Sequence, residues 1–317
     1  MSYVFLSALG SFSFFFSSFL SYYKIEPFHT LYYTFAWWSY ILAADGLNGL
    51  LSQNSLIKDR TKSFLLMIPF SCGLWFLFEL INIRLSNWSY QALPFDPIIR
   101  KIGYIISYAT VLPAIFETKE LIENLGFFKK ISLKPLKSQK NILNSAVILG
   151  IIILFLILLF PKIFFPFTWI FLFLIFDPIN YRIGAVSVIK QAEDGNFRHI
   201  FSVLAAGLIC GIFWEMWNFN SQAKWIYSFP TGDMLPKIFE MPLHGYIGFP
   251  LFALECYSFF NFIAWLFQSH WENIPQKTHN LNRIPAYISL LLLIPLYIYT
   301  IILIDTYSVK YFIILLP

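Results

Sequence analysis

Four apolar segments of this sequence each carry a carboxylic acid three residues before an asparagine. Residues three apart on a helix lie on the same face, so each pair predicts one polar patch inside an apolar helix. A carboxyl group beside an amide in an apolar pocket can stay protonated and act as a general acid. The four pairs are Asp45 with Asn48, Glu79 with Asn82, Asp177 with Asn180, and Glu215 with Asn218.

The two glutamate pairs are followed by the same short motif. A W-x-Y motif places Trp88 with Tyr90 after the first pair and Trp225 with Tyr227 after the second. One further glutamate lies in each following segment. We predict as catalytic residues Glu79, Glu215, Glu117 and Glu255. We predict as substrate-binding residues the four asparagines and two aspartates above, the two W-x-Y pairs, and Trp214, Trp217 and His244.

These motifs form an internal repeat. Trp37, Asp45 and Asn48 follow the pattern W-x7-D-x2-N, and Trp169 opens the same pattern in the second half of the chain. Partner residues lie 132 to 138 residues apart, and the copies are separated by four predicted spans. An even number of spans means that the two copies are parallel, related by an axis along the membrane normal.

Composition defines the fold class. Of the 317 residues, 58% are hydrophobic and 12% are charged, and the mean hydropathy is +0.66. Soluble domains carry about 25% charged residues, so we predict an all-α, polytopic membrane helix bundle of about nine transmembrane helices. The predicted spans are 3–23, 30–51, 64–83, 101–122, 143–160, 163–182, 199–218, 238–267 and 284–304.

The spans define five parts of the chain. They are an N-terminal helix (1–29), repeat A (30–126), a basic loop and linker helix (127–161), repeat B (162–268) and a C-terminal helix (269–317). One set of alternate loops holds 14 of the 22 basic residues. The positive-inside rule therefore predicts a cytoplasmic N-terminus, in a membrane that we expect to be the bacterial inner membrane. The net charge of +5 is explained as this topology signal, so no nucleic-acid partner is expected.

Several cofactors are disfavoured by what the sequence lacks. It contains no G-x-G-x-x-G or G-K-[ST] motif, so no dinucleotide or ATP site is expected. The three cysteines, Cys72, Cys210 and Cys256, show no C-x-x-C spacing, and the five histidines are scattered. We therefore predict no metal and no cofactor.

Two segments resemble the repeat of the heterodimer-type and fused lycopene cyclases. They are W-F-L-F-E-L-I-N-I-R-L-S-N-W-S-Y with the later P-A-I-F-E, within 75–122, and W-E-M-W-N to P-L-H-G-Y-I-G-F-P-L-F-A-L-E, within 214–255. The second segment also resembles the membrane carotenoid hydratases. The family has adjacent glutamates after its proline, whereas here Pro113 and Glu117 stand four residues apart and Pro250 and Glu255 stand five apart.

The resemblance implies an enzyme that acts on a hydrophobic isoprenoid of the carotenoid type by cyclisation or hydration. In this interpretation Glu79 or Glu215 donates a proton, Trp75, Trp214 and Trp217 stabilise the cation, and Glu117 or Glu255 removes a proton or directs water. Buried acids cost about 2.5–3.5 kcal/mol each in a membrane, so they usually mark a site, although they also hold helices together. The alternatives are a proton-coupled or lipid-solute transporter and a non-catalytic subunit of a complex with other membrane subunits. In each case membrane lipid is a partner.

Overall fold

The computed structural model describes residues 2–137, 140–228, 236–272, 274–277 and 284–315, and within them the chain is a bundle of helices. Short strands lie at one end of the bundle. The helices are α1 (Tyr3–Tyr22), α2 (Tyr32–Ser52), α3 (Thr61–Leu85), α4 (Pro97–Tyr108), α5 (Val111–Asn124), α6 (Lys140–Leu159), α7 (Pro161–Phe164), α8 (Phe171–Ile183), α9 (Val188–Glu193), α10 (Phe197–Asn220), α11 (Gly248–Phe267) and α12 (Ile284–Leu303). The strands are β1 (Trp88–Gln91), β2 (Leu93–Pro94), β3 (Lys224–Tyr227), β4 (Lys237–Ile238), β5 (Met241–Pro242) and β6 (Phe312–Ile313). Helical turns at Phe165–Trp169, Leu243–Ile247 and Ile304–Ser308 complete the elements.

Seven helical segments of the described chain are long and apolar enough to cross a membrane, and an eighth is formed if the bent pair Pro161–Trp169 and Phe171–Ile183 is one span. The chain is therefore a polytopic integral membrane protein. Our expected count of about nine included α2, which has 21 residues but is not one of these segments. Its tyrosines, Asp45 and Asn48 lower its hydropathy, and ten of its residues are buried inside the protein.

Helix α1 packs closely on α2 because glycines lie at the crossing. A Cβ atom on Gly10 would lie 2.3 Å from the Ala43 backbone nitrogen, and one on Gly46 would lie 2.3 Å from the Ser7 nitrogen. Small residues of this kind let membrane helices approach until their backbones touch. The first predicted span is thus an integral part of the bundle.

The two copies of the repeat meet in a two-stranded antiparallel ribbon. Strand β1 pairs with β3 so that Trp88 lies opposite Tyr227 and Tyr90 lies opposite Trp225. The two W-x-Y motifs are therefore related by a local two-fold axis. Helices α3 and α10 both run towards this ribbon and end just before their own strand, so the copies are parallel, as predicted.

A further element of the repeat comes from matching turns. Ser55-Leu56-Ile57-Lys58 and Ser187-Val188-Ile189-Lys190 are 132 residues apart, the same offset as the aspartates. Asp45 Oδ1 accepts a hydrogen bond from the Ile57 N–H at 2.7 Å, and Asp177 Oδ2 accepts one from the Ile189 N–H at 2.9 Å. Each aspartate therefore fixes the turn that follows its own helix.

Candidate functional site

A cavity of about 930 Å³ lies beneath the ribbon, between the two copies of the repeat. Its volume is at the upper end of the range of about 300–1,000 Å³ that is usual for ligand sites. Its wall is mainly aromatic and aliphatic. The tryptophans and tyrosines that line it are Trp75, Trp88, Trp169, Trp214, Trp225, Tyr33, Tyr90, Tyr104, Tyr108 and Tyr227. This wall suits a long hydrophobic ligand with developing positive charge, because ring faces attract cations.

All four aromatic side chains of the W-x-Y motifs line the cavity. They share one face of the ribbon because side chains alternate along a strand. Helix ends hold this ribbon in place. Asn82 Nδ2 donates to the Trp88 carbonyl at 2.9 Å, and Asn218 Nδ2 donates to the Trp225 carbonyl at 2.9 Å. The asparagines of the two E-x2-N motifs are thus positioning residues for the cavity wall.

Glu79 lies behind the wall in the first copy and is held by three donors. Its Oε1 accepts hydrogen bonds from Trp75 Nε1 at 3.0 Å, Trp88 Nε1 at 3.0 Å and the Tyr90 hydroxyl at 2.6 Å. The Tyr90 hydroxyl also lies 3.0 Å from that of Tyr108. Glu79 is fully buried, and its Oε2 has no hydrogen-bond partner among the described residues.

Glu215 occupies the matching place in the second copy, where one hydrogen-bond donor, Tyr227, contacts it among the described residues. Its Oε1 accepts a hydrogen bond from the Tyr227 hydroxyl at 2.7 Å. Trp225 Nε1 donates to the same hydroxyl at 2.9 Å and not to the carboxylate. Glu215 Oε2 has no partner among the described residues, and the side chain is fully buried.

The tyrosines connect these acids to the cavity. Tyr90 and Tyr227 line it, whereas neither Glu79 nor Glu215 belongs to the described lining. Burial, together with the neighbouring carboxylate of Glu215, raises the pKa of Tyr227 well above its ordinary range, and burial with Glu79 does the same for the pKa of Tyr90. Both hydroxyls therefore keep their protons near neutral pH. A ligand in the cavity would meet the phenol first and the carboxyl group through it.

Glu117 belongs to a different polar cluster. Asn48 Nδ2 donates to the Glu117 carbonyl at 3.0 Å and to its carboxylate at 2.8 Å, and Asn48 Oδ1 accepts from Asn124 at 2.9 Å. Within the described structure, Asp45, Asn48 and Glu117 do not line the cavity. Their contacts tie α2 to α5.

The matching cluster in the second copy corrects our alignment of the repeats. Asn180 Nδ2 donates to the Ser258 carbonyl at 2.8 Å, and Ser258 Oγ lies 3.2 Å from Asp177 Oδ1. Ser258 therefore takes the place of Glu117, and the predicted equivalence of Glu117 with Glu255 is wrong. Glu117 and Glu255 recur at nearly the same spacing as the other repeat pairs, although their helices, α5 and α11, differ in length. This similar spacing made the predicted alignment wrong. Asp177 and Asn180, like their partners, are outside the described cavity lining.

Glu255, a residue of α11, packs against the first residues of α8. Its Oε1 accepts the Leu172 N–H at 2.9 Å, which satisfies one of the free N–H groups at that helix end. Its Oε2 has no partner among the described residues, and the side chain is fully buried outside the cavity lining. The broken span before α8 exposes this N–H, so Glu255 has a structural use that does not require a substrate.

Of the remaining predicted site residues, two line the cavity and one does not. Trp214 and His244 line the cavity. Trp217 is buried away from the described lining, where its ring centroid lies 4.5 Å from that of Trp37 and 5.1 Å from that of Phe213. Its predicted contact with substrate therefore has no counterpart in the described cavity.

Several cavity residues were absent from our predicted site. The sequence interpretation expects Trp75 to stabilise a cation but does not place it among the substrate-binding residues, and it uses Trp169 only as the repeat partner of Trp37. Tyr104 and Tyr108 are four residues apart on α4 and face the same side. That spacing, opposite an isoleucine-rich exposed face, is a signal that could have identified them.

A buried charged cluster lies near the C-terminal end of α5. From the sequence alone, its lysine, Lys119, is counted only as one of the basic loop residues. Lys119 is fully buried and forms ion pairs with Glu272 and with Glu123, the latter at 3.1 Å. His199 Nδ1 lies 2.7 Å from Glu123 Oε1. Glu123, His199 and Glu272 could together offer three metal ligands, but the Lys119 ammonium already supplies positive charge there.

Comparison with protein-family models, with curated proteins and with solved structures finds no match to this chain. Functional inference therefore depends on the cavity and its polar neighbours.

Proposed function

We propose that this protein is an integral membrane enzyme that acts on a long isoprenoid-type lipid by acid–base cyclisation or hydration, without redox change. The observation that carries the proposal is the aromatic cavity with a glutamate–tyrosine pair behind its wall in each copy of the repeat. The resemblance of the E-x2-N and W-x-Y segments to lycopene cyclases and carotenoid hydratases supports the same class of substrate. From the loop charges we also propose the bacterial inner membrane, with the N-terminus in the cytoplasm.

The proposed proton route passes through Tyr227. In the reactive state Glu215 is protonated and its O–H donates to the Tyr227 oxygen, the reverse of the hydrogen bond described above. The Tyr227 hydroxyl gives its proton to a terminal carbon–carbon double bond while its oxygen takes the proton of the Glu215 carboxyl group. The lipid becomes a carbocation, and Glu215 becomes a carboxylate. Cyclisation followed by loss of a proton along the same route restores Glu215. Capture of water by the cation gives the hydrated product and releases one proton, which returns to Glu215 along the same route.

The tryptophans have a defined part in this proposal. Trp75, Trp88 and Trp214 line the cavity close together, and the ring centroids of Trp75 and Trp88 are 6.3 Å apart, as are those of Trp75 and Trp214. Their faces stabilise a cation by about 0.5–2 kcal/mol each and cannot capture it as a carboxylate could. Glu117 and Glu255 have no part in the route because their described hydrogen-bond partners, Asn48 and Leu172, do not line the cavity, whereas Tyr227, the partner of Glu215, does.

The test is conversion of lycopene in a lycopene-producing host that expresses the full chain. A cyclised product has the mass of lycopene, and a hydrated product is heavier by one water. Glu215→Gln keeps the side-chain volume but removes the titratable proton, so we expect turnover to fall by at least about 100-fold while the protein remains folded. Absence of any product from lycopene and from shorter acyclic isoprenoids would refute the enzyme. A pH-dependent flux of unchanged lipid would indicate the transporter instead.

A further inference from the structure

The loop between α5 and α6 carries a concentration of positive charge that the proposed chemistry does not use. Four lysines, Lys129, Lys130, Lys134 and Lys137, are exposed on it. The sequence has no aspartate or glutamate between Asn124 and Asp177. Among the described residues, none of the four lysines forms an ion pair, so their charge is available to a partner outside the chain.

This loop is fixed against the rest of the protein. The Leu136 N–H donates to the Ala192 carbonyl at 3.0 Å. The Phe128 ring lies 5.9 Å from that of Phe201 on α10. At Gly195, where φ is +72°, an added Cβ would lie 3.3 Å from Pro135. The lysines therefore project from a supported surface and not from a free tail.

Exposed apolar side chains alternate with the lysines. Phe127 is 57% exposed, Leu133 is 49% exposed and Leu136 is 59% exposed. Both flanking helices belong to segments long and apolar enough to cross a membrane, so the loop is held at the bilayer surface. Lysines beside apolar side chains at that depth match the phosphate layer and the upper part of the acyl chains.

Two acids on the adjoining α9 turn have partners of their own. Lys190 forms an ion pair with Asp194 at 2.6 Å, and the Tyr181 hydroxyl donates to Glu193. These acids lie on the α9 turn against which the loop packs. The four lysines of the loop together with Lys190 outnumber these two acids, so the surface keeps an excess of positive charge.

We propose that this loop is a binding surface for the head groups of anionic phospholipids. Each basic residue near a membrane surface contributes about a fivefold gain in binding to anionic lipid at moderate ionic strength. The positive-inside rule explains why lysines stay on one side of the membrane, but it requires neither their clustering on one supported loop nor the apolar residues between them. This inference is independent of the proposed enzyme.

The test uses the purified full chain in nanodiscs made from equal parts of phosphatidylglycerol and phosphatidylcholine. Lipids that remain bound after transfer to detergent are counted by native mass spectrometry. We expect at least about a fivefold preference for phosphatidylglycerol, lost in the quadruple variant Lys129→Gln, Lys130→Gln, Lys134→Gln, Lys137→Gln. The corresponding four Lys→Arg substitutions should retain it. Tryptophan fluorescence verifies that each variant is folded.

A matched control separates this loop from net charge. The double variant Lys134→Gln, Lys137→Gln should lower the preference, whereas Lys58→Gln, Lys62→Gln removes the same charge from exposed positions just before α3 and in its first turn and should leave it unchanged. Equal losses in the two double variants, or an unmodified protein that shows no preference, would overturn the proposal.

Discussion

In the first copy of the repeat, Glu79 accepts hydrogen bonds from Trp75, Trp88 and Tyr90, whereas Glu215 in the second copy accepts one from Tyr227. Gly211 is the residue of α10 four positions before Glu215, as Trp75 is before Glu79. Phe249 fills the space there, since a Cβ on Gly211 would lie 2.2 Å from its ring. The second copy therefore has a cavity-lining phenyl ring where the first copy has an indole donor.

This difference suggests that the two copies of the repeat have different roles in the proposed enzyme, one in anchoring the ribbon and one in proton transfer. A carboxylate oxygen that accepts three bonds is saturated, so Glu79 anchors the ribbon. Glu215 retains the same position and the same tyrosine with fewer constraints, which leaves its proton more accessible to the cavity through Tyr227. We therefore assign the reactive role to the second copy and the anchoring role to the first.

The largest expected effect compares the two cavity tyrosines. Tyr227→Phe removes the hydroxyl between Glu215 and the lipid, so turnover of the isoprenoid should fall by about 100-fold or more. Tyr90→Phe removes the corresponding hydroxyl from the anchoring copy and should lower turnover by less than about tenfold. Product formation per unit of folded protein measures both. Equal losses would show that the two copies share the chemistry.

The next prediction concerns stability, and here we expect the larger loss in the first copy of the repeat and the smaller loss in the second. Glu79→Leu leaves the indole N–H groups of Trp75 and Trp88 without their acceptor, whereas the Tyr90 hydroxyl keeps its contact with that of Tyr108. Each unsatisfied buried group costs about 1–3 kcal/mol. Glu215→Leu leaves the Tyr227 hydroxyl without its acceptor, so its loss should be near the cost of one group. Denaturant unfolding in detergent micelles compares the two variants. A larger loss for Glu215→Leu would contradict the assignment of the anchor.

The smallest expected effect lies outside the cavity. Glu117→Gln retains a side-chain oxygen that can accept from Asn48, so turnover should change by less than about twofold. Its match in the second copy is Ser258, which already lacks a carboxyl group. Loss of turnover in Glu117→Gln would bring this distant cluster back into the mechanism.

The features that could be predicted from the sequence are those determined by the spacing between motif residues. The parallel repeat followed from Asp45 with Asp177 and Glu79 with Glu215, because these pairs keep their spacing to Asn48, Asn180, Asn82 and Asn218. The aromatic ribbon was present as W-x-Y, although neither strand pairing nor the two-fold axis can be derived from a three-residue motif. The count of about nine spans exceeded the seven or eight apolar segments of the described chain because tyrosines, Asp45 and Asn48 lower the hydropathy of α2.

The candidate site was harder to predict for a physical reason. A buried acid is equally conspicuous in sequence whether it meets a ligand, a neighbouring helix or a helix end. Glu215 contacts a cavity-lining tyrosine, Glu117 contacts a neighbouring helix and Glu255 contacts a helix end. Only the contacts with Tyr227, Asn48 and Leu172 distinguish them. The cavity tyrosines on α4 were overlooked because tyrosine is common in this aromatic-rich chain.

The central claim is that a long hydrophobic lipid occupies the aromatic cavity, and filling that space tests it most directly. Gly103 lines the cavity, and a Cβ added there would meet no atom within 4 Å. Ile102, its neighbour on α4, is 50% exposed on the outer face. Lycopene retained by the purified protein should fall at least about tenfold in Gly103→Trp and remain unchanged in Ile102→Trp, with both variants folded. Retention of lycopene by folded Gly103→Trp at the level of the unmodified protein would contradict the account.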